Sequence, residues 1–456
     1  MTDAATSTPS FLEFNPDHIP YQRQVITDVR QNFDYSKGTH EVLLSGSVGS
    51  AKSTLMAHIV LTHVLFNPGS RFMLGRLSMP ALRSTLFNKV LEHIGPDLIE
   101  IKDYKVNQTS ASIKFWNNSE IISRSWQDAK YFKVRSLELS GAAIEETAEN
   151  PTPTAYDEIK MRVGRLPHVK ENIILNATNP DEPHHWLYKR FILPNSSGNK
   201  HQTRHVYYSR TEENPFLPPQ YIEQLKRDLD PLMARRMLYG EWLSIAGDNV
   251  YYAYNRDLHF TSNSYIVNPA YPVWLSWDFN IGHGKPMSAC AMQYINGTFH
   301  IFSEVIIDGA RTADTVDEFI DRGIIKEGNQ QYFVTGDASG RARDTRSSVS
   351  DYDIIAKKLA AANIKYALRV PLSNPPVRAR HNKVNAKLMN SLGESRVIVW
   401  NCPTIDEGLR MVKLKKGSNY IEDDSFRAQH VTTAIGYAIM VALIEENRPK
   451  PYSIIL

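Results

Sequence analysis

Apolar and polar positions follow the pattern of alternating strands and helices in two long regions of the chain. In the first region, the apolar run "EVLLSG" (41–46) precedes "STLMAHIVLTHVLF" (53–66), in which apolar residues recur at helical spacing. A short apolar run bounded by turn residues is typical of a buried strand. Because strands that alternate with helices form parallel sheets, we predict a doubly wound α/β sheet up to about residue 240.

The same criteria predict further elements in both regions. The first region has predicted strands at 71–76, 140–146 and 171–180, helices at 20–33 and 80–94, and a hairpin over 112–126. The second has predicted strands at 273–280, 331–340 and 396–400, a helix at 351–364, and a hairpin over 288–307 that turns at Asn296-Gly297. Residues 240–265 lack a long periodic run, so we expect them to connect two domains.

Length and composition agree with two soluble globular domains. The chain has 456 residues, 42% of them hydrophobic and 22% charged, and a net charge of +3. Two cysteines exclude a disulfide framework or a zinc cluster, which fits a reducing cytoplasm. The start "MTDAATSTPS" lacks the features of a signal peptide. The longest apolar run (434–444) is too short to span a bilayer, so we expect a buried helix and no membrane partner.

A phosphate-binding loop is predicted at "GSVGSAKST" (46–54), between the first strand and the helix that follows it. Such a loop places helix N-terminal amides against phosphates, with a lysine for the β- and γ-phosphates and a hydroxyl for Mg²⁺. Alanine replaces the second glycine of the motif, at a cost of about 1 kcal/mol if that position is left-handed. The alternative is a glycine-rich turn without a ligand. The predicted ATP-binding residues of the loop are Gly46, Gly49, Ser50, Ala51, Lys52, Ser53 and Thr54.

Two later strand ends carry polar pairs that favour ATP hydrolysis over the plain turn. Glu145 and Glu146 end one strand; the first would lie near Mg²⁺ and the second would orient or deprotonate the attacking water. Their alternative role is to begin a solvated helix, where the helix dipole favours glutamate. Thr178 and Asn179 end another strand and could sense the γ-phosphate. Loop, acidic pair and polar pair in this order predict an ATPase.

Carboxylates in the second region suggest a metal-dependent reaction. Asp278 and Asp337 each end an apolar, strand-like run, and carboxylates from neighbouring strands can hold a pair of Mg²⁺ ions that act on a phosphodiester. The alternative is that these aspartates only end strands. A third ligand is expected late in the chain, where the candidates are Glu422, Asp423, Asp424 and His430.

The order of several longer strings resembles the large terminase subunit of tailed bacteriophages, the motor-nuclease that packages DNA. The strings are "PYQRQVI", "SGSVGSAKST", "AIEET", "ATNPDEPHHWLYKRF", "ENPFLPPQYIEQL", "GEWLSIAGDNVYYAY", "SWDFNIGHGKP", "GDASGRARDTRSSVSDYDII" and "NPPVRARHNKVN". The resemblance implies an ASCE-type P-loop ATPase domain over residues 1–245, a linker over 246–265, and an RNase H-like nuclease domain over 266–456. It implies ATP with Mg²⁺, and Mg²⁺ or Mn²⁺ at the nuclease site.

The resemblance also implies roles for particular residues. Gln22 corresponds to a glutamine that contacts adenine, and Lys52 with Ser53 to the Walker A pair. Glu145 and Glu146 correspond to the Walker B and catalytic acids, and Thr178 with Asn179 to the motif that couples hydrolysis to DNA movement. Asp278 and Asp337 correspond to the first two nuclease acids.

The chain departs from the family pattern in two further places. Ser47 and Val48 stand where many relatives carry an arginine. The positive charge that stabilises the γ-phosphate must therefore come from Arg76 in cis or from an arginine of a neighbouring subunit. Thr433 stands where the family's H-x-x-D-A pattern has its last nuclease acid. Asp424 is our preferred third ligand and Asp423 the alternative, while His430 would orient a ligand or bind metal itself.

The function expected from the resemblance is packaging of double-stranded viral DNA. ATP hydrolysis would drive the DNA through a portal protein into the procapsid, and the nuclease would cut concatemers, with a small terminase subunit as partner. Such proteins act in the host cytoplasm as monomers that assemble into rings of about five on the portal. The nearest alternative is a translocase or helicase with an inactive nuclease domain. A capsid-vertex protein that binds nucleotide only for folding leaves the acidic pair unexplained.

Overall fold

The computed structural model describes residues 15–446 apart from short gaps, and the chain divides into two compact units. The gaps are 96, 127–133, 135, 197, 199–200, 245–247, 281–284, 344–348, 416–417 and 419. The first unit comprises Met1–Glu223 and Ala234–Ile245, and the second Gln224–Met233 and Ala246–Leu456.

The first unit contains an eight-stranded sheet. Its strands are β1 (His40–Gly46), β2 (Arg71–Arg76), β3 (Tyr104–Asn107), β4 (Ser112–Phe115), β5 (Glu120–Ser125), β6 (Gly141–Ile144), β7 (Ile173–Thr178) and β8 (Arg204–Ser209). Their order across the sheet is β3-β4-β5-β2-β6-β7-β1-β8. From β5 to β8 all neighbours are parallel, whereas β3, β4 and β5 pair antiparallel. The carboxyl ends of the parallel strands therefore share one edge of the sheet.

Helices cover both faces of this sheet, because the side chains of β1 alternate between two apolar clusters. Val42 and Leu44 pack in one cluster with the helix after β1, and Leu43 packs in the other. The α-helices up to residue 237 are α1 (Pro20–Thr27), α2 (Lys52–Phe66), α3 (Met79–Leu82), α4 (Asn88–Glu92), α5 (Thr154–Lys160), α6 (Leu193–Ser196), α7 (Pro219–Asp228) and α8 (Pro231–Met237). The end of α7 and the start of α8 belong to the second unit. Single turns of 3-10 helix lie at Pro16–His18, Tyr35–Lys37, Thr147–Glu149 and Thr211–Glu213.

Two of the predicted helices are less regular than expected. The segment 20–33 continues from α1 into a π-helical turn at Asp28–Asn32, and 80–94 contains another at Arg83–Phe87 between α3 and α4. A third π-helical turn, Tyr188–Ile192, precedes α6. The helical periodicity predicted the first two segments but not their change of hydrogen-bond pattern.

The second unit contains a seven-stranded mixed sheet. Its strands are β9 (Phe260–Thr261), β10 (Val273–Asp278), β11 (Met287–Ile295), β12 (Thr298–Ile307), β13 (Tyr332–Gly336), β14 (Tyr366–Leu368) and β15 (Val397–Trp400). The order is β14-β13-β10-β11-β12-β15-β9. β10, β11 and β12 are antiparallel neighbours, and β13 joins β10 in parallel. The predicted hairpin turn is confirmed, because Asn296 and Gly297 both have positive φ between β11 and β12.

The last helix of the second unit is long and buried. The helices from residue 256 onwards are α9 (Arg256–His259), α10 (Thr312–Asp321), α11 (Asp351–Ala361), α12 (Val377–Leu388), α13 (Pro403–Met411) and α14 (Gln429–Glu446), and a 3-10 turn lies at Ala338–Arg341. Most of α14 is buried against the sheet, as expected from its apolar run. Among the described residues, every helix is too short or too polar to cross a membrane. The α/β fold class, with its parallel sheet in the first unit, is confirmed.

The segment 246–265 does not form the separate connection that the sequence suggested. Val250 and Tyr251 are buried in the apolar core of the second unit, and β9 pairs with β15. The segment lacked a periodic pattern because its buried side chains come from turns and very short elements. It is part of the second unit.

Candidate functional site

The predicted phosphate loop joins β1 to α2 at the carboxyl edge of the parallel strands. Gly46 is required by close packing, because a Cβ there would lie 1.9 Å from the Ser209 hydroxyl. Gly49 has φ 74°, and Ala51 has φ 62° and ψ 32°. Alanine therefore does occupy a left-handed position, which costs it about 1 kcal/mol. The loop adopts the turn that the motif needs despite the missing glycine.

Lys52 is buried and folded back onto the loop. Its ammonium donates to the carbonyl oxygens of Gly46 and Ser47 at 2.9 and 2.7 Å, and to Ser50 Oγ at 3.3 Å. It also donates to Asn179 Oδ1 at 3.1 Å. Burial lowers the pKa of Lys52 to about 8, against the opposing charges of nearby glutamates. The Lys52 ammonium thus lies among oxygen acceptors whose place phosphate oxygens could take.

Side chains of α1 hold the other side of the loop. Gln22 Nε2 donates to the Ala51 carbonyl at 3.0 Å, and the Tyr21 hydroxyl donates to the Ser50 carbonyl at 2.7 Å. Gln22 is 2% exposed, so it braces the loop in this structure. Thr54 lies in the first turn of α2 and is partly buried. Gln22 and the predicted residues of the phosphate loop are therefore adjacent in space.

Glu145 connects the loop to the strand end of β6. Its carboxylate accepts from Ser53 Oγ at 2.5 Å, and Thr85 donates to its other oxygen. Arg76 NH1 lies 3.5 Å from the same carboxylate. A serine hydroxyl and a carboxylate oxygen side by side are the donor types that Mg²⁺ prefers. These residues suit the Mg²⁺ that accompanies ATP.

Glu146 follows Glu145 in a strained backbone conformation, with φ 46° and ψ 51°. A left-handed non-glycine residue costs free energy, and such residues concentrate at functional sites. Burial raises the pKa of the Glu146 carboxyl, although the charges of Lys52 and Arg76 oppose this. A carboxylate with a raised pKa, held beside the loop, has the properties of a general base.

Arg76 ends β2 and is held by acidic groups of the same site. Its NH2 lies 2.8 Å from Glu149 Oε1, and its NH1 donates to Thr85 Oγ1 at 3.3 Å. Neither Glu149 nor Thr85 was predicted as a site residue, since single polar residues after a strand have no distinguishing pattern. The structure places Arg76 beside Glu145 and Glu149, and its role as a cis arginine stays a prediction.

Thr178 and Asn179 complete the site at the end of β7. Asn179 binds Lys52, while Thr178 Oγ1 accepts from the Ala148 backbone amide at 3.3 Å. Ala148 lies in the turn that follows Glu146. The pair therefore bridges the phosphate loop and the acidic turn, and its coupling role stays a prediction.

In the second unit, Asp278 and Asp337 lie at neighbouring strand ends. β10 and β13 pair in parallel with Trp277 opposite Gly336, so the two aspartates occupy the next matched positions. The Asp337 amide donates to the Trp277 carbonyl at 3.0 Å. Burial raises the pKa of Asp278, and the charge of Asp337 adds to this, whereas the hydrogen bond from His430 lowers it.

Asp278 also contacts His430 at the start of α14. His430 Nδ1 lies 2.9 Å from Asp278 Oδ2, and the Asn280 amide donates to the same oxygen at 2.9 Å. The Asp337 carboxylate instead accepts from Asn374 at 2.8 Å. Residues 278 and 430 are thus brought together from opposite ends of the second unit, and His430 orients Asp278.

The predicted third ligands are not equivalent in the structure. Asp424 lines a cavity of about 360 Å³ together with Asp278 and His430, but its carboxylate pairs with Lys285 and its side chain is half exposed. Asp423 is partly exposed and accepts from the Ser425 amide and hydroxyl at 3.0 and 2.7 Å.

Glu422 is the buried acid of this segment. Within the described residues, no group of three or more His, Cys, Asp or Glu side chains is arranged to hold a metal. The expected cluster is therefore only partly assembled: Asp278 contacts His430 and adjoins Asp337 along the sheet, whereas Asp423 and Asp424 do not join them. Asp423 and Asp424 lie on a turn that solvent reaches, where Asp423 accepts hydrogen bonds from Ser425 and Asp424 pairs with Lys285.

Comparison with a protein-family model decides the resemblance of the first unit. The model described as phage terminase large subunit matches residues 38–241, which contain the phosphate loop and both polar strand ends. The resemblance to the phage terminase large subunit is confirmed. No curated protein matches the chain.

Solved terminase structures share the fold over almost the whole chain. The large terminase of a thermophilic bacteriophage aligns with a TM-score of 0.66 and 16% identity, covering 94% of this chain and 99% of that one. The same phage terminase in complex with ATP-γ-S aligns with a TM-score of 0.63 and 16% identity, covering 93% and 99%. The likeness includes both units, and at this identity it concerns the fold.

Proposed function

We propose that this chain acts as the large subunit of a phage terminase. It would use ATP hydrolysis to move double-stranded viral DNA through a portal protein into a procapsid, and would cut concatemeric DNA with a metal-dependent nuclease. A small terminase subunit would be a partner, and about five copies would form a ring on the portal in the host cytoplasm. The observation that carries the proposal is the hydrogen-bonded set Lys52, Ser53, Glu145 and Asn179 around the loop.

This set supports ATP hydrolysis by a water molecule. The water oxygen would bond to the γ-phosphorus while the bond to the bridging oxygen of ADP breaks, and Glu146 would take the water proton. Lys52 and Arg76 would stabilise the negative charge on the phosphoryl oxygens. Mg²⁺, bound near Ser53 and Glu145, supplies further neutralisation of phosphate charge.

The hydrogen bonds of Lys52 also link ATP binding to other residues of the site. To reach a phosphate, its ammonium must exchange hydrogen bonds that it makes with the loop carbonyls and with Asn179. Asn179 would then lose a charged donor at the end of β7. ATP binding and release would therefore change the partners of the Thr178–Asn179 pair, which supports a role of this pair in coupling hydrolysis to DNA movement.

The second unit supports a nuclease because its two adjacent strand-end carboxylates suit a divalent cation. Asp278 and Asp337 would hold Mg²⁺ or Mn²⁺, and His430 would orient Asp278. The cation supplies charge stabilisation for a phosphodiester undergoing hydrolysis. A pair of such ions, as the resemblance implies, needs a further carboxylate, and Glu422, Asp423 and Asp424 each have other partners.

A separation-of-function experiment tests the proposal. Lys52→Ala should abolish ATP turnover and packaging but keep Mn²⁺-dependent cleavage of linear DNA. Asp278→Ala should do the reverse. Exposed Lys105 and Asp321 provide matched controls, as Lys105→Ala and Asp321→Ala. Retained ATP turnover in Lys52→Ala would contradict the ATPase assignment, and absence of cleavage by the unmodified protein would favour the translocase with an inactive nuclease domain.

A further inference from the structure

The carboxylate of Glu422 lies beside Thr433, at the place where the family's last nuclease acid is expected. Thr433 Oγ1 donates to Glu422 Oε2 at 2.9 Å, and Gln429 donates to the same oxygen. Oε1 accepts from Arg380 NH2 at 2.8 Å and contacts His381 Nε2 at 2.5 Å. Four partners occupy the two oxygens, so a cation could be bound only by displacing them.

Glu422 is ionised in this setting, and Arg380 balances it. Burial alone would raise the pKa of Glu422, but the hydrogen bond of His381 and the charge of Arg380 outweigh it and lower the pKa to about 2. The negative charge of Glu422 is therefore compensated inside the protein. The compensated pair brings no net charge to the cavity, unlike a free aspartate at position 433.

Arg380 is built into the wall of the cavity that contains Asp278 and His430. It is 4% exposed, and its guanidinium lies 4.9 Å from the centre of the Tyr437 ring. Gly436 makes room for it, because a Cβ there would lie 2.7 Å from Arg380 Cδ. An arginine this enclosed has a defined position, which suits recognition of one oxygen atom.

Three buried polar atoms around the cavity have no hydrogen-bond partner among the residues that the structure describes. They are Arg380 Nε, His430 Nε2 and Gln429 Oε1. Leaving a buried polar atom unsatisfied costs about 1–3 kcal/mol, so such atoms indicate a missing ligand or water. Of the three, Arg380 Nε is a donor, which an anionic phosphate oxygen would satisfy and a metal ion would not, whereas the Gln429 oxygen is an acceptor that needs a donor such as water.

The acidic side chains that remain available to bind a cation suffice for a single divalent ion. Among the acidic residues that line the cavity, Glu422 is compensated by Arg380 and Asp424 is paired with Lys285, which leaves Asp278. Lys415 adds a further basic side chain to the lining, and Asp337 follows the strand that pairs with the strand of Asp278. A second divalent cation near the guanidinium would be repelled and would lack a carboxylate of its own.

Resting on the proposed nuclease function, we propose that this site binds one divalent cation, at Asp278 and Asp337, and that Arg380 replaces the second. Arg380 would contact a non-bridging oxygen of the scissile phosphate. In the hydrolysis, a water oxygen bonds to phosphorus while the bond to the leaving oxygen breaks. The water gives up one proton to solvent, and the leaving oxygen gains one.

The first test counts Mn²⁺ ions by calorimetry and electron paramagnetic resonance on the full chain without nucleotide. The difference between the unmodified protein and Asp278→Ala should be one Mn²⁺ per chain. Two ions together with DNA cleavage would overturn the inference and leave the nuclease standing. No Mn²⁺ binding and no cleavage would overturn both.

The second test changes the guanidinium. Arg380→Gln should slow cleavage of linear DNA at least about 100-fold without changing the Mn²⁺ count. Arg380→Lys keeps the charge opposite Glu422, so it should remain folded while cutting at least about 10-fold more slowly. Lys357→Gln, at an exposed position of α11, is the charge-loss control. Unchanged cleavage by folded Arg380→Lys and Arg380→Gln would overturn the inference.

A third test distinguishes a role at the phosphate from a role in folding alone. Combining Arg380→Gln with Thr433→Asp removes the internal cation and restores an acid at the family position. This double variant should bind a second Mn²⁺ and recover cleavage at least about 10-fold relative to Arg380→Gln. Failure to gain the second ion in a folded double variant would contradict the replacement of a metal by Arg380.

Discussion

The phosphate loop of the first unit and the acidic cavity of the second both lie at strand ends, but they are assembled differently. The loop is a contiguous segment whose backbone conformation forms most of the site. The cavity joins residues as far apart as Asp278 and His430, separated by 152 positions. The loop contains an alanine where the phosphate-loop motif has glycine, whereas the wall of the cavity contains a buried network of several side chains around Glu422.

A substitution therefore has different consequences at the two sites. At position 51, alanine in place of glycine causes local backbone strain, and the side chains that form the site keep their hydrogen bonds. At position 433 the neutral threonine donates to the buried Glu422, whose charge must be balanced by other residues. Arg380 and His381 provide that balance.

The largest effect is expected from Arg76→Ala. A cis arginine that stabilises the γ-phosphate typically contributes at least about 10³-fold to the rate of hydrolysis. Steady-state ATP turnover of the isolated chain should fall by that factor. Arg71→Ala is the matched control, since Arg71 begins the same strand and pairs with Glu120. A loss below about 10-fold, with turnover that rises with protein concentration, would assign the arginine to a neighbouring subunit.

Replacement of the acidic pair should separate two roles at the first site. Glu146→Gln should still bind ATP and hydrolyse it at least about 100-fold more slowly, because a general base is lost. Glu145→Gln should instead weaken Mg²⁺-dependent ATP binding. The raised pKa of Glu146 means that turnover should fall as pH decreases through that pKa, above the ordinary carboxyl value of 4.5. If the two variants behaved in the opposite way, their roles would be exchanged.

Glu422→Gln should destabilise the second unit by about 3 kcal/mol, because it leaves Arg380 buried without its counter-charge. The pKa of Glu422 is near 4.5 in the unfolded chain and about 2 when folded, so its stabilisation is complete above pH 4.5 and disappears as pH falls towards 2. Denaturant titration at pH 7 and at pH 3 would measure this, with exposed Glu407→Gln as control. An equal difference between unmodified protein and variant at both pH values would contradict the ionised pair.

The smallest effect is expected from Ala51→Gly. Relief of the left-handed alanine gains about 1 kcal/mol, and the greater flexibility of unfolded glycine removes about half of it. The first unit should therefore become about 0.5 kcal/mol more stable, with ATP turnover unchanged, as denaturant titration and a steady-state assay would measure. A clear loss of turnover would show that Ala51 does more than tolerate the turn.

Local sequence patterns predicted the strand–loop–helix of the first site and the two strand-end carboxylates of the second. These features depend on local periodicity and on residues that follow strands directly, so neighbouring positions carry the whole signal. The same local signal missed β8, since "RHVYYS" (204–209) lacks a continuous apolar run and lies at the sheet edge. It also misassigned 246–265, whose buried residues come from turns.

Which acidic residue of 422–424 is buried in the cavity wall depends on tertiary contacts and could not be predicted from the sequence. Three consecutive acidic residues at 422–424 are indistinguishable by composition, yet the first is buried and the other two are partly or fully exposed. Glu422 differs because α12 and α14 supply Arg380, His381, Gln429 and Thr433 around it. The free energy of a buried carboxylate depends on the donors that surround it in three dimensions, and no local pattern encodes those donors.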